Sequence, residues 1–475
     1  MTRTARNLFF VLALLISIPS IAQIVPCSGG FAGSFPCDGY DLLSNLPKST
    51  FSNEDGSDLW GWTDPMTNKE YALMTFEDKT CFVDITDPVN PVYLGNIPTN
   101  AGVNFWRDVK VYNNHAFIVA DNVGNHGMQV FDLTRLRNVS NPPQTFTPDA
   151  LFTDVGSCHN IAINEDTGYA YLVGCNTFSG GPHFVDLSIP TNPVSVGGYS
   201  TDGYTHDAQI VTYNGPDTAH VGKEILIGSN ENEIVILDVT NKSSVTRLAR
   251  INYTDVGYTH QGWLTEDHRY FYLGDEEDEI NFGYNSRGLV FDFADLDNPQ
   301  FINSFTGSSS AIDHNYYIKG DILYQANYTS GLRVSDISNP MNVTEIGYFD
   351  TYPASNSTIF FGAWTAYPYF ASGNIIISDT DRGLFVVRDS NLLSTVQTSS
   401  LNFMMYPNPA SDHTIIRTGD NRLIQNVEIM NMLGTKIAAY TSINETRFEL
   451  PVAKFPSGMY IIKINGKNSR KLIVN

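Results

Sequence analysis

The chain is poor in positive charge: its 475 residues hold 28 Lys and Arg against 50 Asp and Glu, a formal charge of −22. The imbalance is uneven, because from Leu401 onward nine Lys and Arg outnumber five Asp and Glu, which leaves −26 for the first 400 residues. A surface that acidic repels phosphate backbones and excludes nucleic acid as a partner; cations, cationic ligands or plain solubility suit it better. Long apolar runs are also missing. The run Leu8–Ile18 is too short to span a bilayer and no later one is long and apolar enough, so no transmembrane helix is expected in the mature chain. A nucleophile elbow, a P-loop and a dinucleotide fingerprint are absent, and the acidic loops lack EF-hand spacing. No residue is therefore assigned to catalysis or to an organic cofactor, and whether the chain is an enzyme stays open.

Cysteine is scarce, with five residues. Arg3 and Arg6 ahead of the apolar run, and Ser20-Ile21-Ala22 after it, read as a signal peptide over 1–22 with cleavage before Gln23. Export permits disulfides. Cys27 and Cys37 bracket a Gly-rich loop, and Cys158 and Cys175 stand at the start of one strand and the end of its antiparallel neighbour, so these are the two expected pairs, with reduced thiols the alternative. Cys81, inside an apolar strand, is left as a buried thiol.

What the chain has in abundance is repetition. A short apolar strand ending in an acid returns seven times: CFVDITDP from Cys81, MQVFDLT from Met128, HFVDLSIP from His183, IVILDVT from Ile234, GLVFDFA from Gly288, GLRVSDIS from Gly331 and GLFVVRDS from Gly383. Other short β-rich runs lie between them, giving four strands per unit. A period of roughly 40 to 50 residues with units that cannot bury their own faces predicts an all-β fold, a seven-bladed β-propeller over 23–389. The seventh unit stops after its third strand, near Asp389. LLSNLP from Leu42 resembles YLGNIP from Tyr93, so residues 42–47 are expected to supply the missing outer strand and close the ring. After a polar linker at 390–400, residues 401–475 carry their own strand pattern and predict a small C-terminal β-sandwich.

Two resemblances rest on these segments. YPNPA at Tyr406–Ala410, NMLG at Asn431–Gly434, PSGMYIIKI from Pro456 and the basic final strand KNSRKLIVN resemble the type A sorting domain of the type IX secretion system of Bacteroidetes. That resemblance implies passage through the outer membrane, the secretion machinery and its sortase-like protease as partners, and release or attachment to a surface lipopolysaccharide. FPCDGYDLLSNLP, LWGWTDP, TCFVDITDPVNPVYLG, WRDVKVYNNHAFIV, HGMQVFDLTRLR, YTHQGWLTEDHRYFYLGDEEDE and YQANYTSGLRVSDIS resemble the choice-of-anchor B family, whose repeats are related to LVIVD repeats. It implies a secreted or cell-surface propeller without an assigned reaction.

One constellation suits chemistry. His159, His206, His260 and His314 occupy equivalent places at the start of four successive units, followed by Asn160, Asp207, Gln261 and Asn315; the preceding unit has Arg107-Asp108 there. Inner strands surround a propeller axis, so these imidazoles are expected near the mouth of the central channel. They are candidate ligands of one transition metal, each oriented through its second nitrogen by a neighbouring amide or carboxylate. They are equally candidate contacts to a surface ligand, or hydrogen-bond donors that zip each blade to the next. The acidic loop GDEEDE offers Asp275, Glu276 and Asp278 as candidate calcium ligands, with a solvated loop as the alternative. Asp121, Asn176, Asn230, Asp379 and Asp381 share that face, and His126 and His183 lie near it. Trp60, Trp62, Trp106, Trp263 and Trp364 recur near inner strands and are expected to pack rather than to form a sugar platform.

Overall fold

The computed structural model describes residues 23–392, 403–418, 423–431, 436–465 and 468–474. The expected leader at 1–22, most of the linker and Met432–Gly434 of the NMLG turn lie outside the described residues. The chain is all-β and divides into two compact units, 1–391 and 392–475. No described helix is long and apolar enough to cross a membrane.

The larger unit holds seven sheets among its described residues, each built on four antiparallel strands, in meander order for the first six. The first runs Gly56–Thr63, Glu70–Phe76, Lys79–Asp84, Val92–Pro98, and the fifth Thr259–Leu264, Tyr270–Asp275, Arg287–Asp292, Gln300–Thr306. Burial falls from the inside out. All seven residues of Glu70–Phe76 are buried, whereas Gln300–Thr306 is mostly exposed. Middle strands are covered on both faces by neighbouring sheets, which is why they read as continuous apolar runs rather than alternating ones. The first strands of successive sheets adjoin one another in order, and the last of them, Ala363–Tyr367, adjoins the first, Gly56–Thr63.

The repeated acid at the end of each third strand has one local job. The carboxylates of Asp84, Asp132, Asp186, Asp238, Asp292, Asp336 and Asp389 each accept the backbone N–H two residues on, at 2.8–3.1 Å. These Asx turns stop the strand and start the turn that follows. The signature is thus a folding device, not a site.

The seventh sheet is completed from the other end of the chain. Tyr40–Leu46 pairs antiparallel with Gly383–Asp389, Leu46 opposite Leu384 and Tyr40 opposite Asp389. Gly383 admits this approach: its φ is 87°, and a Cβ there would lie 2.3 Å from the Leu46 carbonyl oxygen. The preceding strand Phe35–Asp38 pairs with the outer strand Thr344–Phe349 of the sixth sheet, and disulfides join Cys27 to Cys37 and Cys158 to Cys175. Cys81 is a buried free thiol, pushed up to about 12 by burial.

The smaller unit has two antiparallel sheets, Phe403–Tyr406 with His413–Thr418 and Arg447–Pro451, and Lys436–Glu445 with Ile424–Asn431, Gly458–Ile464 and Asn468–Val474. They share one core that includes Ile416, Leu450, Ile429 and Ile462.

Candidate functional site

The four histidines of the repeat come together. His260 is the second residue of Thr259–Leu264, while His159, His206 and His314 each stand one residue ahead of the inner strands Asn160–Asn164, Asp207–Thr212 and Asn315–Lys319. Their ring centroids follow one another at 4.3, 4.4 and 4.3 Å, forming an arc across four adjacent sheets.

Each of the last three imidazoles is fixed by the next sheet. Nδ1 of His206 donates to the His260 carbonyl at 3.1 Å, Nδ1 of His260 to the His314 carbonyl at 3.1 Å, and Nδ1 of His314 to the Trp364 carbonyl. A carbonyl oxygen only accepts, so Nδ1 carries the proton and a neutral ring leaves a lone pair on Nε2. Burial keeps these rings neutral: it holds His206 and His260 well below the usual histidine range and His314 down to about 3. The zipping role and the presentation of a bare nitrogen are therefore two ends of one ring. His159 differs, since its Nδ1 meets the Asp121 carboxylate at 3.0 Å.

The residue that directly follows each histidine does not orient its ring: Nδ1 meets Asp121 in His159 and a backbone carbonyl in the other three. Asn160 donates to the His206 carbonyl, and Gln261 exchanges two hydrogen bonds with the backbone of Tyr316, so these side chains bind sheet to sheet. The pleat explains it: neighbours on a strand point to opposite faces, so the residue after each histidine leaves its side. Arg107 turns away too, donating to the carbonyls of Glu77 and Asn104 and to Thr99.

The imidazoles line a cavity of about 510 Å³, whose wall also holds Glu276, Tyr258, Tyr328 and Trp364 and whose mouth carries Trp106, Phe360 and Phe361. The last three are 37%, 47% and 46% exposed, a concentration of solvent-facing aromatics at one opening. Trp364 and Tyr328 pack on His314 at 4.6 and 4.7 Å, and Tyr258 stands edge-on to His206 at 5.1 Å. Glu276 enters between the last two histidines. Its carboxyl lies 3.5 Å from His260 Nε2 and 3.6 Å from His314 Nε2, accepts the Tyr328 hydroxyl at 2.8 Å, and is pushed up to about 8 by burial. These three donors lie within 4.8 Å of one another, a spacing that suits one metal ion; no such set among the described residues contains all four histidines.

The acidic loop is divided. Asp275 accepts the backbone N–H groups of Gly257 and Tyr258 and the Tyr253 hydroxyl, Glu276 enters the cavity, and Asp278 pairs with Arg287. Their carboxylates engage three different sets of partners. Other polar residues of this face are also committed: Asn176 accepts the Gly156 N–H, Asp379 the N–H groups of Asp381 and Arg382, Asn230 donates to the Asp202 carbonyl, and Asp381 accepts the Thr380 hydroxyl. His126 bonds the Gly127 carbonyl and Arg107, and His183 sits between Thr177 and Ser195, both away from the cavity. Among the tryptophans, Trp62 stacks on Tyr71, and Trp60 and Trp263 both meet Tyr317, while Trp106 and Trp364 line the cavity.

Of the aromatic wall, only Trp106 and Trp364 stood out in the sequence. A partial signal was the tetrapeptide Gly-Tyr-Thr-His, present at both Gly203–His206 and Gly257–His260, the second of which brings Tyr258 into the wall. Tyr328, Phe360 and Phe361 carry no such repeat.

Comparison with known proteins adds an address. Residues 404–475 match the secretion system C-terminal sorting domain, and residues 222–252 and 315–351 match the LVIVD repeat. The chain is sorted by the type IX secretion machinery to the cell surface or the extracellular space. The LVIVD matches fall on strands two to four of the fourth sheet and on the four strands of the sixth. No curated protein matches the chain. Among solved structures it is similar to PorZ, a surface component of the type IX secretion system of Porphyromonas gingivalis, at 13% identity and a TM-score of 0.45, covering 86% of this chain and 58% of that one. It is also similar to a functionally unknown protein from Desulfotomaculum acetoxidans, at 16% identity and a TM-score of 0.45, over 64% of this chain and 88% of that one. Kuenenia stuttgartiensis hydrazine synthase is similar at 11% identity and a TM-score of 0.46, over 67% of this chain and 92% of that one.

Proposed function

We propose that this is an exported, seven-bladed β-propeller of the choice-of-anchor B type that captures a small molecule in the histidine-lined cavity. Seven blades are supported by the unbroken order of the inner strands and by the pairing of Tyr40–Leu46 with Gly383–Asp389. The signal peptide over 1–22, the propeller over 23–389 with 42–47 as its closing strand, the linker at 390–400 and removal of 401–475 by the sortase-like protease complete the reading. Release or attachment to a surface lipopolysaccharide follows that cut.

The observation that carries the binding role is the set of Nε2 lone pairs, two of them 3.5 and 3.6 Å from the Glu276 carboxyl, beside an aromatic wall in an open cavity of ligand size. Such a surface takes a neutral molecule with several hydroxyl or amine donors and one apolar face, the class to which sugar rings belong. Donors reach the imidazoles and Glu276; the apolar face lies on Trp364, Tyr328 or Trp106. The test is a thermal-shift and tryptophan-fluorescence screen of the full chain against monosaccharides and aromatic amines. Hits abolished by His206→Ala or Trp364→Ala support the reading, and equal binding by both variants contradicts it.

The second reading, a metal-dependent hydrolase or oxidase, is favoured by His260, Glu276 and His314. Two imidazoles and one carboxylate with open positions form a set that holds a first-row transition ion. The Nδ1–carbonyl bonds supply the outer support such ligands need. Elemental analysis of the full chain beside Glu276→Gln and His260→Ala tests it: about one transition metal per wild-type chain, absent from folded variants, supports it, and a metal-free protein after supplementation ends it.

A further inference from the structure

Next to the histidine cavity lies a second cluster with different chemistry. Asp278 and Glu279 open a short helix, Asp278–Phe282, in the loop after Tyr270–Asp275 of the fifth sheet, and Asp313 stands two residues before the sixth sheet's first strand. Asp278 and Asp313 are fully buried and Glu279 is 4% exposed, and their carboxylates lie within 4.8 Å of one another. Buried carboxylates are normally hydrogen-bonded or ion-paired. Here Arg287 engages one oxygen of Asp278, while its Oδ1, both oxygens of Glu279 and both of Asp313 have no hydrogen-bond partner.

A separate side chain points to the same place. The hydroxyl of Tyr316, fully buried, has no partner either. Gly274 explains how it gets there: a Cβ at that position would lie 2.2 Å from Asp313 Oδ2 and 3.3–3.4 Å from the hydroxyl end of the Tyr316 ring, so the glycine leaves room for both over one spot of backbone. The result is five carboxylate oxygens beside one phenol O–H, which can donate to only one of them, a surplus of acceptors that the single guanidinium does not offset. Burying that many acceptors with no cation among them is costly.

We propose that Asp278, Glu279 and Asp313 bind one hard divalent cation, calcium by ligand type and number, which fastens the fifth sheet to the sixth. An all-oxygen set without thiolate or imidazole selects such ions over zinc or copper, and calcium takes six to eight oxygens. The site is distinct from Asp275, Glu276 and Asp278 as a set: it keeps only Asp278. It also has a consequence for the cavity next door. Glu276 lies three residues ahead of Glu279 and His314 directly follows Asp313, so the cation holds the two segments that carry these cavity groups.

The test uses the full chain, stripped with EDTA and dialysed, with calcium chloride alone as the probe. Calorimetry is expected to show about one calcium per chain with Kd at or below about 10⁻⁴ M, the tight side of extracellular calcium modules, and the thermal midpoint to rise on addition. Asp313→Asn and Glu279→Gln keep shape and remove buried charge, so they are expected to fold with an apo midpoint at or above the wild type and to lose the calcium response. His260→Ala is expected to keep it, which separates this site from the cavity. A stripped wild type with no calcium response, a response retained by Asp313→Asn, or one given by zinc and not by calcium would overturn the proposal.

Discussion

Truncating Leu43 to alanine tests the closing strand most sharply. Leu43 is 3% exposed and packs with Phe51, Ile376, Leu384 and Val386, which joins the N-terminal strand to the last sheet of the larger unit. It sits at the bulge between Leu42 and Ser44, where the pairing with Gly383–Asp389 shifts register. Removing three buried carbons there costs about 2–5 kcal/mol, transfer and cavity together. With an unfolding entropy of about 2.1 cal/mol/K per residue over roughly 370 residues, about 0.8 kcal/mol/K, that is a fall in midpoint of about 3–6 °C. Leu151→Ala is the control. Leu151 is also in the fourth strand of its sheet but is 40% exposed, and its loss should move the midpoint by less than about 1 °C. Differential scanning calorimetry reads both. If Leu43→Ala behaves like Leu151→Ala, or melts only a minor early transition while the main one stays, the N-terminal strand is an ornament on the sheet and the closure argument fails.

Other expectations follow from the same contacts. Arg137 makes two charge-assisted hydrogen bonds to Asp64, at 2.8 and 2.7 Å, and holds its carboxyl down to about 2. A lowered acid stabilises above its unfolded pKa and loses that contribution as pH falls through the folded one, so the midpoint should drop between about pH 4 and 2, and Arg137→Ala should flatten that limb. Asp207, which lines a second, smaller cavity with Lys110, has the opposite sign: burial pushes it up to about 7. The unfolded chain then loses its proton first, so stability falls as pH rises from about 4 to 7 and levels above; Asp207→Asn should remove that contribution in a pH series of melts. Replacing Cys158 and Cys175 by serine opens a link of sequence separation 17 and should cost about 3 kcal/mol by chain-entropy reasoning, read by denaturant titration.

The fold was largely legible because it is written seven times. The apolar strand ending in Asp survives as a pattern since each copy solves one local problem, ending a doubly covered strand with an Asx turn. The place of the N-terminal strand was legible for the same reason: LLSNLP occupies in its sheet the place YLGNIP has in the first. The histidine arc was legible as a column in the repeat. What it would bond to was not, because a partner that is a backbone carbonyl of the next sheet leaves no mark in sequence. The acidic loop was legible only as composition, for a related reason. Five acids in a row share composition, but a short helix and a strand end send Asp275 to backbone amides, Glu276 to the imidazoles, and Asp278 with Glu279 toward Asp313, a residue 34 positions beyond Glu279. Aromatics that line the mouth, Phe360 and Phe361, come from an irregular loop outside the repeat.

The functional account rests on neutral rings that present an unprotonated Nε2 to the cavity. Two-bond nitrogen–proton correlation spectra of the full chain, labelled with ¹⁵N only at histidine and assigned with His206→Ala, His260→Ala and His314→Ala, read this directly. His206, His260 and His314 are expected to show the neutral tautomer with the proton on Nδ1 and an unprotonated Nε2, unchanged between pH 5 and 8, with the Nε2 signals shifting when a ligand or metal enters. Imidazolium signals in that pH range, or protons on Nε2, would mean the rings spend their second nitrogen elsewhere, and the cavity would lose the acceptors that make it a binding site.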